Sequence, residues 1–236
     1  MKHYFLSGIL LLIAVGINSC SSDEEKDYTK VYSQEILSIS PKDRILQLEK
    51  MNFKIHEGKE PPVISGVYKA SPYMMANSTE ENWNKSGERV EDYYYSFRNQ
   101  ASNQLAVQID ILGVNYENGN LVYKSIDETR YLSGKNDLFS AFSIVENYYT
   151  YRNNQDTARF KSLEIMSGKI TPLGLEDYQF AFIMLDNYGN EFGKLMKNDA
   201  VRIFYDGDGI ADISQMPSFE AGVDGRRFRP LERILD

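Results

Sequence analysis

From Val63 onward the chain alternates apolar and polar residues with a period of two, and this pattern constrains its fold more than any other feature. Neighbouring residues of a strand point to opposite faces, so the alternation predicts strands with a buried face. Turn signals separate the segments, including Asn118-Gly119, the strongest short hairpin signal. We predict about eight strands, at 64–70, 93–97, 105–112, 121–126, 138–149, 160–167, 178–185 and 201–205.

Eight strands favour a mainly β fold with an antiparallel barrel, because closure removes exposed sheet edges and leaves room for side chains or one small ligand. A β-sandwich has the same strand spacing and is the alternative. Both faces of 178–185 are apolar, which is typical of a strand buried on both sides. Phe180, Phe182 and Met184 share one of these faces, and their size favours a filled interior.

A short helix is predicted before the strands. Ser40-Pro41 is typical of a helix start, with Ser as the N-cap and Pro at the first helical position. Residues 45–51 carry an apolar stripe at helical spacing, and Gly58 and Pro61-Pro62 end the segment. We expect this helix to pack on the β domain or to plug one end of it.

The N-terminus has the features of a secretory signal peptide over residues 1–19. Lys2 and His3 precede an apolar run of about 13 residues, which is shorter than the roughly 20 that a membrane-spanning helix needs. The run ends in Ile17-Asn18-Ser19-Cys20, which resembles a bacterial lipobox. This resemblance implies that Cys20 receives a diacylglycerol and becomes the first residue after cleavage. Cys20 is the only cysteine, which excludes an intrachain disulfide framework.

The segment after Cys20 is acidic. Its sequence, Ser-Ser-Asp-Glu-Glu-Lys-Asp, resembles the export signal of Bacteroidetes surface lipoproteins. The resemblance implies a lipid-anchored protein of the outer membrane that faces the cell exterior. A charged segment also self-repels and extends, so the same residues can act as a solvated spacer. We predict an acidic and polar tether at 20–38, followed by a single domain at 39–236 with the helix and the barrel.

A second resemblance concerns the barrel itself. Residues 57–68, Glu-Gly-Lys-Glu-Pro-Pro-Val-Ile-Ser-Gly-Val-Tyr, with Ser71-Pro72, resemble the opening of Bacteroidetes lipoproteins described as lipocalin-like. In that group a Pro-Pro pair leads into a first strand with Gly-x-Tyr or Gly-x-Trp. Ser167-Gly168 and 202–212 resemble later parts of the pattern. The resemblance implies an up-and-down barrel outside the cytoplasm, and it brings no known ligand.

The sharpest local motif is Asp-Gly-Asp-Gly-Ile-Ala-Asp at 206–212. Carboxylates two residues apart on a glycine-rich turn converge as hard oxygen ligands for Ca²⁺. The motif resembles the calcium repeats of extracellular modules, whereas Pro217 at the twelfth position excludes an EF-hand loop. We predict a Ca²⁺ site at Asp206, Asp208 and Asp212. A turn without metal is the alternative.

Aromatic residues supply the candidate ligand contacts. The chain contains 17 Tyr and a single Trp, Trp83, which lies in a polar segment. A tyrosine ring with its polar tip suits stacking on sugars, a pocket mouth or a barrel core. We single out Trp83 and Tyr94 as ligand contacts, with a lid and a core position as the alternatives. Asp156-Thr157-Ala158 matches a short O-glycan acceptor pattern of this bacterial group, which predicts glycosylation at Thr157.

Charge and motif content exclude several function classes. The net charge of −8 argues against a nucleic-acid partner, which would require clustered Lys and Arg. The chain has two histidines, no Gly-x-Ser-x-Gly elbow and no glycine-rich phosphate loop, so we expect no enzyme. Two main hypotheses remain, with a glycoside hydrolase as the third, because the sequence contains carboxylate pairs but does not fix their spatial separation. The first is a lipid-anchored module that binds a small apolar or glycan ligand, and the second is a structural or adhesive surface protein with a filled barrel.

Overall fold

The computed structural model describes residues 26–80, 86–150, 157–193 and 195–218. These ranges contain a 3₁₀ turn (Tyr28–Lys30), α1 (Gln34–Ile39) and α2 (Lys42–Lys50). The strands are β1 (Lys59–Glu60), β2 (Gly66–Ala70), β3 (Tyr73–Ser78), β4 (Asp92–Arg98), β5 (Ala106–Val114), β6 (Leu121–Lys135), β7 (Leu138–Thr150), β8 (Thr157–Ile170), β9 (Gly174–Asp186), β10 (Val201–Asp206) and β11 (Ile210–Ile213). No helix within the described ranges is long and apolar enough to cross a membrane.

Eight strands close into an antiparallel barrel, which confirms the predicted barrel over the sandwich. Neighbouring strands follow the order β2, β4, β5, β6, β7, β8, β9 and β11, and β11 pairs with both β9 and β2 to close the ring. β3 continues β2 beyond Ser71-Pro72, and β10 leads into β11 through residues 207–209. β3 also pairs with β10. The β2–β3 segment at the start of the barrel is therefore hydrogen-bonded to the β10–β11 segment at its end both before and after the bend in each segment.

Turn positions define the two ends of the barrel. The lower end carries the β4–β5, β6–β7 and β8–β9 connections at 99–105, 136–137 and 171–173. The upper end carries the β5–β6 and β9–β10 connections at 115–120 and 187–200. All eight predicted strands are present. β1, β3 and β11 were not predicted, because all three are short and adjoin the turn signals Pro61-Pro62, Ser71-Pro72 and Asp-Gly-Asp-Gly, respectively.

Large side chains fill the interior of the barrel toward its lower end. Phe97 on β4 meets Phe139 on β7 edge to face, with ring centres 5.9 Å apart, and packs on Tyr68 at 5.8 Å. Each buried side chain of this size contributes roughly 1.5–3 kcal/mol through removal of apolar surface from water. The same core includes Ile64, Val107, Ile109, Ile111, Leu132, Met166 and Leu175.

The N-terminal helices cover the outer wall of the barrel rather than plug an end. Ile36 of α1 and Ile45 and Leu48 of α2 are completely buried against outward residues of β7 to β10. These outward residues include Phe142, Leu163, Ile165, Ala181, Ile183, Val201 and Ile203. β9 is therefore buried on both faces, as its sequence predicts. Pro41 occupies the N-cap position of α2, which begins one residue later than predicted.

Part of the predicted tether is folded. Tyr28, Tyr32 and Ile36 lie within the predicted 20–38 tether, yet each is at least nine-tenths buried. Tyr28 lies in the 3₁₀ turn, Tyr32 in the link to α1 and Ile36 in α1, and all three pack on the barrel wall. The Ser33 Oγ accepts a hydrogen bond from the backbone N–H of Ile36 at 3.3 Å and so caps α1. The charged residues around these three concealed them in the sequence.

Candidate ligand site inside the barrel

A charged pair lies in the middle of the barrel interior. Arg130 on β6 is fully buried, Glu164 on β8 is 2% exposed, and the Arg130 Nη2 donates to the Glu164 Oε2 at 2.6 Å. The Arg130 Nη1 also donates to the Glu164 backbone carbonyl at 3.5 Å. β7 runs between the two strands, and its residue in register with Glu164 is Ser143, whose small side chain leaves the guanidinium room to cross.

Further polar groups extend this pair into a network. The second carboxylate oxygen of Glu164, Oε1, accepts from the Asn147 Nδ2 at 3.4 Å and from the Ser162 Oγ at 3.3 Å. The Asn147 Oδ1 in turn accepts from the Tyr123 hydroxyl at 3.4 Å. These three distances lie beyond the usual range for strong hydrogen bonds, so the carboxylate is only weakly satisfied on the side away from Arg130.

One donor of the network has no partner. The Nε of Arg130 is buried and makes no hydrogen bond with the residues that the structure describes. A buried donor without a partner costs about 1–3 kcal/mol, so native proteins rarely retain one. An acceptor atom of a bound molecule at this position would complete the hydrogen bonding of the guanidinium.

Tyrosines surround the charged pair on the interior face. The Tyr95 hydroxyl donates to the Tyr73 hydroxyl at 3.3 Å, and the Tyr95 ring packs on Tyr178 with centres 5.0 Å apart. Burial raises the pKa of Tyr73, Tyr93, Tyr95, Tyr123 and Tyr178 above the usual range, because a phenolate would lose its hydration. These phenols therefore stay neutral at physiological pH, where they stack and form hydrogen bonds.

The interior chemistry suits binding of polar molecules. A guanidinium, a carboxylate, an amide and several hydroxyls lie beside aromatic rings in the barrel interior, which combines directional polar contacts with stacking surfaces. Sequence reasoning missed Arg130 and Glu164. The sequence did contain an indication of this pair, because a charged residue occupies a strand position that alternation assigns to the inward face. Glu164, two residues before the inward Met166, is such a residue.

The structure brings two of the three predicted calcium ligands together. Asp206 ends β10 with 3% exposure, and its carboxylate accepts the backbone N–H groups of Ser71 at 2.9 Å and Asp208 at 3.3 Å. Burial, followed by a hydrogen bond with the Asp208 carboxyl, raises the pKa of Asp206 to about 7. Asp212 is exposed on β11 in register with Lys69. In the described parts of the chain, no three His, Cys, Asp or Glu side chains are placed to hold a metal.

A surface groove of about 300 Å³ adjoins the same turn. Its wall includes Lys54, Asp177, Gln179 and Tyr205. The Lys54 Nζ lies 2.7 Å from an Asp177 carboxylate oxygen, and the Lys54 backbone N–H donates to the Gln179 Oε1 at 2.9 Å. Lys54 and Asp177 therefore neutralise each other, and the carboxyl groups of Asp206 and Asp208 leave this groove with an excess of acidic groups.

The remaining predicted site residues lie elsewhere. Tyr94 is on the outer face of β4, where the Lys69 Nζ sits 5.6 Å from its ring centre, whereas Tyr93 and Tyr95 point inward. Tyr94 is therefore not part of the interior network. Cys20 and Trp83 fall outside the described residues, and Thr157 begins β8 with its side chain outside them.

Comparisons with protein-family models, with curated proteins and with solved structures find no match for this chain. The relation to lipocalin-like surface lipoproteins therefore rests on the short motifs at 57–72, 167–168 and 202–212, and it stays a prediction.

Proposed function

We propose that this chain is a lipid-anchored lipoprotein of the outer membrane, displayed at the cell surface, whose barrel binds a glycan or a similar polyhydroxylated small molecule. The buried network around Arg130 and Glu164 supports this proposal most directly, because it holds a donor without a partner. The lipobox resemblance at Cys20 and the acidic residues after it support the location. Acyl chains on Cys20 would provide the membrane contact.

The polarity of the interior favours a glycan over an apolar ligand. A sugar hydroxyl both donates and accepts hydrogen bonds, so one such group can accept from the Arg130 Nε while a neighbouring group donates to the Glu164 Oε1. An apolar ligand would leave both atoms poorly satisfied in a dry interior, at a cost of about 1–3 kcal/mol each. The tyrosine rings add faces on which a sugar ring can stack.

A structural or adhesive surface protein is the second candidate function. The packed core at the lower end supports it, because Phe97, Phe139 and Met166 occupy space that a ligand would otherwise use. In that case the polar network would serve only to position β6 and β8, and contacts with other surface proteins would be made through the loops.

The two candidates predict different results in native mass spectrometry of the protein purified from its own cells. Glycan binding predicts a non-covalent polar ligand on the wild type, which is lost or reduced in Tyr123→Phe because the hydroxyl that orients Asn147 is absent. Tyr94→Phe removes a hydroxyl from the outer wall and should retain the ligand. A wild-type protein that carries no ligand, and gains no heat stability from a panel of oligosaccharides, would exclude glycan binding.

The same spectra test the covalent predictions. Acylation adds the mass of the lipid to Cys20, and an O-glycan on Thr157 adds a further sugar mass. A mature mass equal to the acylated polypeptide alone would exclude the O-glycan. Calcium at Asp206 and Asp208 remains a secondary proposal, supported by the proximity of these two carboxyls. It requires EDTA to lower the melting temperature of the wild type and to leave that of Asp208→Ala unchanged.

A further inference from the structure

The most exposed apolar side chains of the described chain lie together at one end of the barrel. Leu173, Val63 and Ile213 are 74%, 65% and 60% exposed, and all three are at the lower end. The Ile213 backbone N–H donates to the Leu173 carbonyl at 3.4 Å, so these two residues adjoin. Val63 precedes Ile64, whose N–H donates to the side chain of Gln100 in the lower β4–β5 connection.

Elsewhere, exposed apolar side chains are less accessible and more scattered. Tyr116, Val122, Ile126 and Tyr188 are the other large apolar residues that the described chain exposes, each at 41–43%. Tyr116 and Tyr188 lie in upper-end connections, Val122 is near the start of β6, and Ile126 lies on its length. Single exposed apolar residues are ordinary on protein surfaces. The concentration of the three most exposed ones at the lower end distinguishes that end.

The N-terminal segment also reaches the lower end. Lys26 forms an ion pair with Glu57, and the Gly58 N–H donates to the Val31 carbonyl at 3.1 Å. β1 follows directly and pairs with Gly134 and Lys135, which are the last residues of β6 before the lower β6–β7 turn. The described chain therefore begins beside the lower end.

The distance to the proposed anchor is short. Lys26 lies six positions after Cys20, and a fully extended chain of that length spans at most about 22 Å. The 14 residues of β8 are roughly 45 Å long at the usual rise of a strand. An acyl group on Cys20 would thus hold the lower end much closer to the bilayer than the upper end.

We infer that the lower end of the barrel rests on the lipid surface, with Leu173, Val63 and Ile213 inserted among the headgroups. This inference depends on the proposed acylation of Cys20. It adds a defined orientation, in which the upper-end connections face away from the membrane. Aliphatic side chains at the interface bury apolar area, as the apolar faces of peripheral membrane proteins do.

Charge does not drive this contact. Lys169 at the lower end is paired with Glu176 at 2.9 Å, and Lys135 stands beside the β6–β7 turn that carries Asp137. The net charge of −8 would oppose adsorption to anionic lipid. Contact should therefore form on zwitterionic phosphatidylcholine, which has no net charge, and should persist at high salt.

Single thiols test the orientation on the acylated full-length protein. Because acylation occupies the only natural cysteine, Leu173→Cys and Val122→Cys each add one reactive thiol for an environment-sensitive fluorophore. Both positions are exposed, so neither change should affect folding. On phosphatidylcholine vesicles we expect the label at 173 to lose quenching by aqueous iodide and to be quenched by nitroxide-labelled lipid. The label at 122 should show the opposite behaviour.

Three outcomes would overturn the inference. If the protein associates with vesicles but iodide quenches the labels at 173 and 122 equally, contact of the lower end with the lipid is excluded. The proposed acyl anchor would remain compatible with that result. Protection of 173 in cells but not on pure lipid would assign the patch to a protein partner. A protein that is not acylated and does not associate with vesicles would remove the proposed anchor, and the orientation with it.

Discussion

The Arg130–Glu164 pair is the residue-level feature with the largest energetic consequence. Both side chains have left water almost completely, which costs several kcal/mol per ion before their attraction compensates. Replacement of one partner leaves the other charge buried and uncompensated. The same replacement in a solvated pair has little effect, because water and salt already screen the charges.

We therefore expect Glu164→Gln to lower the free energy of unfolding by about 3–5 kcal/mol, as measured by urea denaturation. Glu146→Gln is the matched control, since Glu146 also meets an arginine, Arg159, at 2.6 Å, but both side chains are more than two-fifths exposed. The control should lose less than about 1 kcal/mol. Equal losses in the two variants would show that the interior pair is solvated.

At the scale of elements, two kinks decide how the barrel closes. The first and last strands both bend at the same level, β2 into β3 at Ser71-Pro72 and β10 into β11 at 207–209. The Asp206 carboxylate joins the kinks through the Ser71 N–H, and the Gly207 N–H donates to the Pro72 carbonyl at 2.7 Å. An added Cβ on Gly207 would lie 2.9 Å from that carbonyl oxygen, so the approach of the strands requires glycine there.

Asp206 makes this junction sensitive to pH. Burial raises its pKa from 3.8 to about 7, so between these values the folded protein binds a proton that the unfolded chain releases. Stability should therefore decrease as pH rises from about 4 to about 7, by up to roughly 4 kcal/mol for a shift of this size. Asp206→Asn removes the ionisation, and its melting temperature should depend less on pH in this window.

Asp212→Asn is the control for this measurement, because Asp212 belongs to the same motif but is exposed on β11. It should retain the pH dependence of the wild type. If Asp206→Asn and the wild type follow parallel melting curves from pH 4 to pH 7, another group accounts for the dependence.

At the scale of the whole molecule, the N-terminal segment connects the proposed anchor to the barrel. The segment 26–60 first covers the barrel wall at β7 to β10 and then pairs with β6 next to the lower end. The proposed lipid on Cys20 therefore acts on a folded body and not on a long flexible linker. With the proposed anchor, this arrangement would orient the barrel on the membrane.

Substitution of the anchor tests this view directly. Cys20→Ala should release the protein from the membrane fraction and leave the signal peptide uncleaved at that site, whereas Ser21→Ala, one residue beyond the lipobox, should behave as the wild type. Fractionation and the mass of the N-terminal peptide measure both effects. Firm membrane association of Cys20→Ala would contradict the lipoprotein assignment.

The sequence by itself determined the local features of this protein. Alternation of period two and the turn residues predicted eight strands, because side-chain direction along a strand depends only on its own backbone. The apolar residues on both faces of 178–185 predicted a doubly buried strand, and β9 has that environment. The predicted strand at 121–126 ended nine residues before β6 does, because the polar run from Asp127 to Arg130 interrupts the apolar pattern.

Only the tertiary structure decided what lies opposite these residues. Barrel closure over sandwich depends on β11 pairing with β2, a contact between residues more than 140 positions apart that no local pattern encodes. Closure also places Arg130 beside Glu164 and separates Asp212 from Asp206. The buried polar network and the separation of the predicted calcium ligands therefore both depend on barrel closure. The physical reason is the same in each case: alternation fixes the face on which a side chain lies, whereas its partner depends on strand order and register.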